Sequence, residues 1–364
     1  MKRLILIFAA LFGLMPRAMA ADGNTWIDHA ALEAFLKEAA DKGFIGVIGI
    51  SDRDGTINTV AFGDAVAGKK PYTQDTILDI ASVSKQFTGA AILQLREEGK
   101  LELDDPLSRF LPGVPADKAG ITLHQLLTHT AEMVDLVGRD ENPLTRDEFL
   151  KRAFKAELLS KPGERHAYSN TGYSLLAAVI EHVSGMSYEA YLRDHLWKPA
   201  GMFMTGYYLP DYTDRTFPRT ENGVDGLHGA DELLARCGGD IWNLYGNGGI
   251  LSTAEDMLRW HRALMGNTIL SAESKALLFT PHVPEDAEGV YHYGYGWSVV
   301  PDYKGKKLVW HNGGGYFTRS EFWHFPDDGT AFFLASHGGD VEPYKVAAGL
   351  AEILQGRAPK PIKP

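Results

Sequence analysis

The spacing of apolar and polar positions along this chain changes character three times. Over residues 29–42 apolar side chains recur at helical spacing (Ala30, Phe35, Leu36, Ala39) and the run ends near Gly43, which predicts an amphipathic helix. Residues 44–50 and 56–62 are β-rich. The turn residues Ser51-Asp52-Arg53-Asp54-Gly55 between them predict a hairpin. Residues 82–98 read as a helix, with Gly99 suited to the C′ position. From about 100 to 235, helical patterns alternate with prolines and loops, and the apolar run 175–183 has helical length. The last third returns to strands: 307–311, then 321–325 and 330–336 joined across Pro326-Asp327-Asp328-Gly329. Residues 341–354 read as a closing amphipathic helix.

This order predicts an α+β fold in which both ends of the chain build one antiparallel sheet flanked by helices, with a mostly helical inserted domain. The expected sheet domain is 21–99 together with 236–364, and the expected helical domain is 100–235. Strands joined by turns rather than by βα crossovers, and the absence of any Gly-x-Ser-x-Gly elbow, argue against an α/β-hydrolase.

Composition narrows the setting. With 364 residues, 45% of them hydrophobic, the chain can bury a large core. Lys and Arg number 36 against 47 Asp and Glu, a net charge of -11, which argues against nucleic acid or an anionic membrane as partner. The N-terminus differs in kind. Lys2 and Arg3 precede an apolar run over 4–15 that is too short to span a bilayer, and Ala18-Met19-Ala20 is a small-x-small cleavage site. Residues 1–20 therefore read as a signal peptide cleaved after Ala20. The mature chain is expected to be periplasmic or secreted and to have no membrane span. Cys237 is the sole cysteine, so neither an intrachain disulfide nor a zinc site of several thiolates can form. Among 13 histidines there is no His-Glu-x-x-His, and no metal or other cofactor is expected.

Three short motifs carry candidate chemistry. In Ser82-Val83-Ser84-Lys85 the serine and lysine lie three residues apart, neighbours on a helix, and the serine sits where free N–H groups favour a negative oxygen. A serine hydroxyl needs an adjacent base, and a buried lysine with a lowered pKa can help to supply one. Tyr168-Ser169-Asn170 follows a loop opened by Pro162-Gly163. A tyrosine beside an ammonium can move toward phenolate, and Asn170 can hold Lys85 and donate to a substrate carbonyl. His311-Asn312-Gly313-Gly314-Gly315 ends a strand, and such glycines let a ligand approach the backbone closely. Tyr291, Tyr293, Tyr295, Trp242 and Tyr245 are candidate aromatic walls for a cleft.

Ser-x-x-Lys, Tyr-x-Asn and His-x-Gly in this order resemble the serine β-lactamase and penicillin-binding protein superfamily. The resemblance is to its class C-like branch, with its D-alanyl-D-alanine peptidases, D-aminopeptidases and esterases. Further similar stretches are Leu126-Leu127-Thr128-His129-Thr130, Gly248-Gly249-Ile250-Leu251-Ser252-Thr253-Ala254-Glu255-Asp256 and Gly294-Tyr295-Gly296-Trp297. The resemblance implies Ser82 as acylated nucleophile, Lys85 assisting proton transfer and keeping Tyr168 acidic, and Tyr168 as general base. It also implies Asn170, His311, Gly313 and Gly314 around the substrate, with the N–H groups of Ser82 and Gly314 as oxyanion hole. His311 stands where many relatives carry lysine, the cation that receives a substrate carboxylate, and Arg319 lies eight residues later. The expected function is therefore an esterase- or amidase-type hydrolase acting on small esters, amides or D-amino-acid peptides. The alternatives are a β-lactamase or D-alanyl-D-alanine carboxypeptidase and, from another class, an inactive binding or scaffold protein. Asp79, just before the nucleophile, has no role at this level.

Overall fold

The computed structural model describes residues 27–362, so the segment read as a signal peptide lies outside the described residues. The strands are β1 Gly46–Ser51, β2 Ile57–Phe62, β3 Asp64–Val66, β4 Lys70–Pro71, β5 Leu78–Asp79, β6 Leu251–Ser252, β7 Val283–Pro284, β8 His292–Tyr293, β9 Ser298–Tyr303, β10 Lys306–Gly314, β11 Arg319–Phe325 and β12 Thr330–Ser336. Eight of them form one sheet in the order β2-β1-β12-β11-β10-β9-β8-β7, and β3-β4 and β5-β6 are separate ribbons. Every pairing in the large sheet is antiparallel, and the two ends of the chain meet where Val47 of β1 faces Ala335 of β12.

Strands β1 and β12 are buried along their whole length, as expected when helices cover both faces of a sheet. One face carries helices His29–Asp41 and Pro343–Leu354. The first is capped by the Asp28 carboxylate, which accepts the Ala31 N–H at 3.0 Å, and it buries Leu32, Phe35, Leu36 and Ala39. The two helices meet at Gly349, where any Cβ would overlap the Phe35 ring. On the other face helix Ala254–Met265 packs on β1 and β12, and helix Lys85–Glu97 packs against helix Asn170–Ser184. One hydrophobic core runs without a break from Phe322 and Phe333 of the sheet through Leu93 and Trp260 to Leu126, Leu176 and Trp197.

Two elements differ from the sequence expectation in ways that matter for the site. The helix expected from residue 82 begins as a 3₁₀ turn, Ala81–Ser84, and becomes α-helical at Lys85. At this turn Ala81 adopts φ +46°, and the Ser84 hydroxyl donates to the Ala81 carbonyl at 2.6 Å. The strand expected over 307–311 runs on to Gly314, because β11 continues to pair with it down to Gly314 opposite Arg319.

Candidate active site

Ser82 sits on the tight turn that ends β5. Its neighbour Ala81 is held in the left-handed region, a conformation that costs a residue with a side chain about 1–3 kcal/mol. Surrounding contacts hold it there. The Asp79 carboxylate accepts the Ala81 N–H at 2.8 Å, the Ile80 N–H donates to Ile250 O at 3.0 Å, and the Ile80 carbonyl accepts the Ser320 hydroxyl at 2.9 Å. Asp79 thereby gains the structural role that the sequence did not show.

Lys85 begins the helix that follows and is wholly buried. Its Nζ donates to Ser82 Oγ at 3.2 Å, Asn170 Oδ1 at 2.6 Å and the Asn247 carbonyl at 2.8 Å. Burial depresses this amine to about 7, a shift that the charges of Asp135 and Asp140 only partly oppose. The Asn247 carbonyl arrives through the β5-β6 pairing, Leu78 opposite Ser252, which lays the 247–250 segment beside the nucleophile turn. A backbone acceptor carries no residue signature, so the sequence alone did not single out Asn247.

Asn170 opens helix Asn170–Ser184, where Ser169 caps by accepting the Gly172 N–H at 3.0 Å. Asp135 fixes its orientation. One carboxylate oxygen accepts both the backbone N–H and the amide Nδ2 of Asn170 at 3.0 Å, and the Asp135 carbonyl accepts the Thr171 N–H at 2.8 Å. The amide oxygen is left for Lys85. The Tyr168 ring lies 4.8 Å from the Lys85 nitrogen, and its hydroxyl hydrogen-bonds to Ser82. The His129 ring packs against it, tilted by 35° with centroids 4.2 Å apart, and accepts the Ser169 N–H at 3.0 Å through Nδ1. Burial pushes the Tyr168 phenol well above its ordinary value, offset only in part by the Ser82 hydrogen bond. This is the reverse of the expectation that Lys85 keeps Tyr168 acidic: in the resting site the proton belongs to the phenol, and the amine is the group poised near neutrality.

His311 is buried with both ring nitrogens engaged. Nε2 lies 3.0 Å from the Tyr293 hydroxyl and Nδ1 lies 2.6 Å from the Asn312 carbonyl. Burial, reinforced by the charge on Lys85, depresses it to about 3, so it is neutral and offers no cation to a carboxylate. Arg319 does not replace that cation inside the site. It is exposed and directs Nη1 to the carbonyls of Gly315 at 2.6 Å and Thr318 at 3.0 Å. Gly314 and Gly313 face different ways. The Gly315 N–H donates to Thr318 O at 3.1 Å, so by antiparallel alternation the Gly314 N–H points away from β11, on the side where β9 pairing has already ended at Trp310. Gly313 is instead a packing position, where any Cβ would overlap the Ile80 carbonyl oxygen and the Ser320 hydroxyl. Gly313→Ala is expected to cost about 1–3 kcal/mol of stability by overpacking and to lower turnover, because the strand must withdraw from the nucleophile turn. A thermal melt paired with steady-state kinetics checks both.

A cleft opens at Ser82. Polar groups on its wall are Asp79, Asp140, Asn170 and Asn247, and Gly314 and Gly315 form one edge. Ala81, Gly248 and Gly249 lie on the nucleophile side, and the rest is Ala230, Leu233, Leu234, Leu244, Tyr316 and Phe317. None of the five aromatic residues expected as walls lines it: Tyr293 and Tyr295 are fully buried and packed, and Tyr316 and Phe317 take that place. Cys237 is buried and free.

Comparison with known proteins agrees with this architecture. The sequence profile of the family described as Beta-lactamase matches residues 31–356. The chain is 33% identical over 270 residues to "Putative penicillin-binding protein PbpX" of Bacillus subtilis (strain 168), covering 73% of this chain and 64% of that protein. It therefore spans less than two thirds of that relative's length. It is 27% identical over 278 residues to "D-alanyl-D-alanine-carboxypeptidase/endopeptidase AmpH" of Escherichia coli (strain K12), covering 70% of this chain and 69% of that one. Among solved structures, the octameric penicillin-binding protein homologue from Pyrococcus abyssi superimposes with a TM-score of 0.78 at 28% identity, over 92% of this chain and 79% of that one. With its antiparallel sheet, flanking helices and a profile match across nearly all of the described residues, the chain belongs to the Beta-lactamase family.

Proposed function

We propose that this chain is an exported acyl-transferring hydrolase, of esterase or amidase type, with Ser82 as nucleophile. The carrying observation is the state of Lys85: a buried amine, 3.2 Å from the Ser82 hydroxyl and depressed to about 7. In its neutral form Lys85 accepts the Ser82 proton as Oγ attacks the acyl carbonyl. The N–H groups of Ser82 and Gly314 receive the developing oxyanion. Tyr168, protonated at rest, relays a proton to the leaving group as the carbonyl–leaving-group bond breaks, and it is reprotonated from the Lys85 ammonium. Water then attacks the acyl-enzyme and gives up its proton along the same path, restoring free Ser82. Asn170, clamped by Asp135, holds Lys85 in register.

The name of AmpH favours a competing assignment, a D-alanyl-D-alanine carboxypeptidase. Against it stands the neutral, fully engaged His311, which supplies no cation for a terminal carboxylate.

The test is covalent labelling with a fluorophosphonate, read by peptide mass spectrometry between pH 5 and 9. The expected adduct is on Ser82, and its rate rises through about pH 7 as Lys85 loses its proton, falling about tenfold per unit on the acid side. The midpoint should move strongly with temperature, as an amine ionisation does and a carboxyl does not. An adduct elsewhere, or a rate flat down to pH 5, removes the Ser82–Lys85 mechanism.

A further inference from the structure

We infer that His129 is the positioning residue for Tyr168, a hydrogen-bond acceptor that fixes the Tyr168 segment so that the phenol stays against Ser82. The inference rests on the proposed role of Tyr168 as proton donor to the leaving group, and it assigns the group that holds this donor in place.

Helix Leu123–Leu127 ends in two back-turning bonds: the His129 N–H donates to Leu126 O at 3.4 Å, and the Thr130 N–H donates to Gln125 O at 2.9 Å. This ending needs a left-handed residue directly after the C-cap, a position usually given to glycine. Here a histidine takes it, at φ +57°. A side chain is thus kept where the backbone disfavours one, as happens where that side chain is used. Both halves of the residue reach the Tyr168 segment. The His129 carbonyl accepts the Ala167 N–H at 2.7 Å, and Nδ1 accepts the Ser169 N–H at 3.0 Å, so the two bonds bracket Tyr168. Between them the imidazole packs on the phenol ring.

The bond to Ser169 also fixes the form of the ring. A nitrogen that accepts an N–H carries no proton, so the neutral ring keeps its proton on Nε2, which is buried without a partner. Burial, reinforced by the charge on Lys85, holds His129 well below the ordinary histidine range. A leucine would fill this space without burying an unpaired donor, which marks Nδ1 as the atom in use. The residues that follow have anchors of their own: the Ser169 hydroxyl donates to Val134 O at 2.9 Å, and Asp135 holds Asn170. Loss of the Nδ1 acceptor is therefore felt at Tyr168, whose hydroxyl is bonded to Ser82.

The experiment measures kcat/KM for p-nitrophenyl butyrate and ethyl butyrate, which share an acyl group and differ in their need for a proton. The nitrophenolate departs as an anion, whereas the ethanol oxygen takes the Tyr168 proton as the acyl C–O bond breaks. His129→Leu is expected to lower the ethyl ester rate about 100-fold and the nitrophenyl ester rate less than about fivefold. His129→Asn puts a carbonyl oxygen where Nδ1 stands and tolerates the left-handed backbone, so both rates should return to within about fivefold of the parent. His129→Gln, whose oxygen falls at the Nε2 position, should behave as His129→Leu does. The Asn and Gln variants decide the point if the leucine variant does not fold. Tyr168→Phe should show the same selectivity between leaving groups, and adding His129→Leu to it should change neither rate by more than about threefold. Equal losses on both esters, Asn no better than Gln, or a further loss in the double variant overturns the inference. A parent that forms the fluorophosphonate adduct on Ser82 but does not hydrolyse ethyl butyrate also overturns it, since no proton then reaches the leaving group. In each of these cases the adduct leaves the hydrolase reading standing, whereas a folded parent with neither adduct nor turnover removes both.

Discussion

Replacing Lys85 by methionine is expected to lower ester turnover by about 10⁴-fold or more while the protein stays folded. Of the two side chains hydrogen-bonded to the Ser82 hydroxyl, the amine is the one whose ionisation falls near neutrality, since burial drives Lys85 down to about 7 and the phenol of Tyr168 up. Without it no group in contact with the hydroxyl can take a proton at pH 7. Stability should change little, because two effects oppose each other. The substitution removes a charge from a site that desolvates it, and it leaves Asn170 Oδ1 and the Asn247 carbonyl without their donor. Each unsatisfied acceptor costs about 1–3 kcal/mol, of the same order as the penalty relieved. Steady-state kinetics with a p-nitrophenyl ester and a thermal melt read the two quantities. Turnover within tenfold of the parent would exclude Lys85 as proton acceptor. Lost activity with a collapsed melt would assign the residue to the fold instead.

Ser82→Ala is expected to abolish both the fluorophosphonate adduct and turnover, again by about 10⁴-fold or more. The change removes one oxygen from a half-buried side chain at the mouth of the cleft. The strained turn does not depend on that oxygen: the Ala81 N–H is held by Asp79, the Ala81 carbonyl by the Ser84 hydroxyl, and the Ile80 carbonyl by Ser320. The melt should therefore match the parent closely. Retained hydrolysis in this variant would show that the nucleophile lies elsewhere and that Lys85 and Tyr168 are only a buried polar network. The inactive-scaffold alternative is separated by the parent protein: it predicts no adduct at all from a folded chain.

Much of the fold was legible because it is written in local periodicity. The helix expected over 29–42 is observed as His29–Asp41, the strand over 330–336 as Thr330–Ser336, and the closing helix over 341–354 starts at Pro343, where proline suits the first turn. The 3₁₀ turn at Ala81–Ser84 was not legible, since nothing in Ile80-Ala81-Ser82 announces a left-handed alanine. That conformation is imposed by the carboxylate of Asp79 and by β6 and β11 on either side.

The candidate site divides in the same way. Ser82, Lys85, Tyr168 and Asn170 could be named from the sequence because their chemistry resides in particular side chains at short, fixed spacings. The structure brings all four into contact. Asp135 and Asn247 could not be named. Asp135 acts by orienting Asn170, and Asn247 through a carbonyl that any residue possesses.

By itself the sequence determined most of the elements, which family the motifs resemble and which side chains are candidates for the chemistry. It could not determine which of two protons is mobile. That was decided by the tertiary structure, because the ionisation of Lys85 and Tyr168 is set by how much water and charge surround them, and the surrounding groups come from residues far apart in the chain.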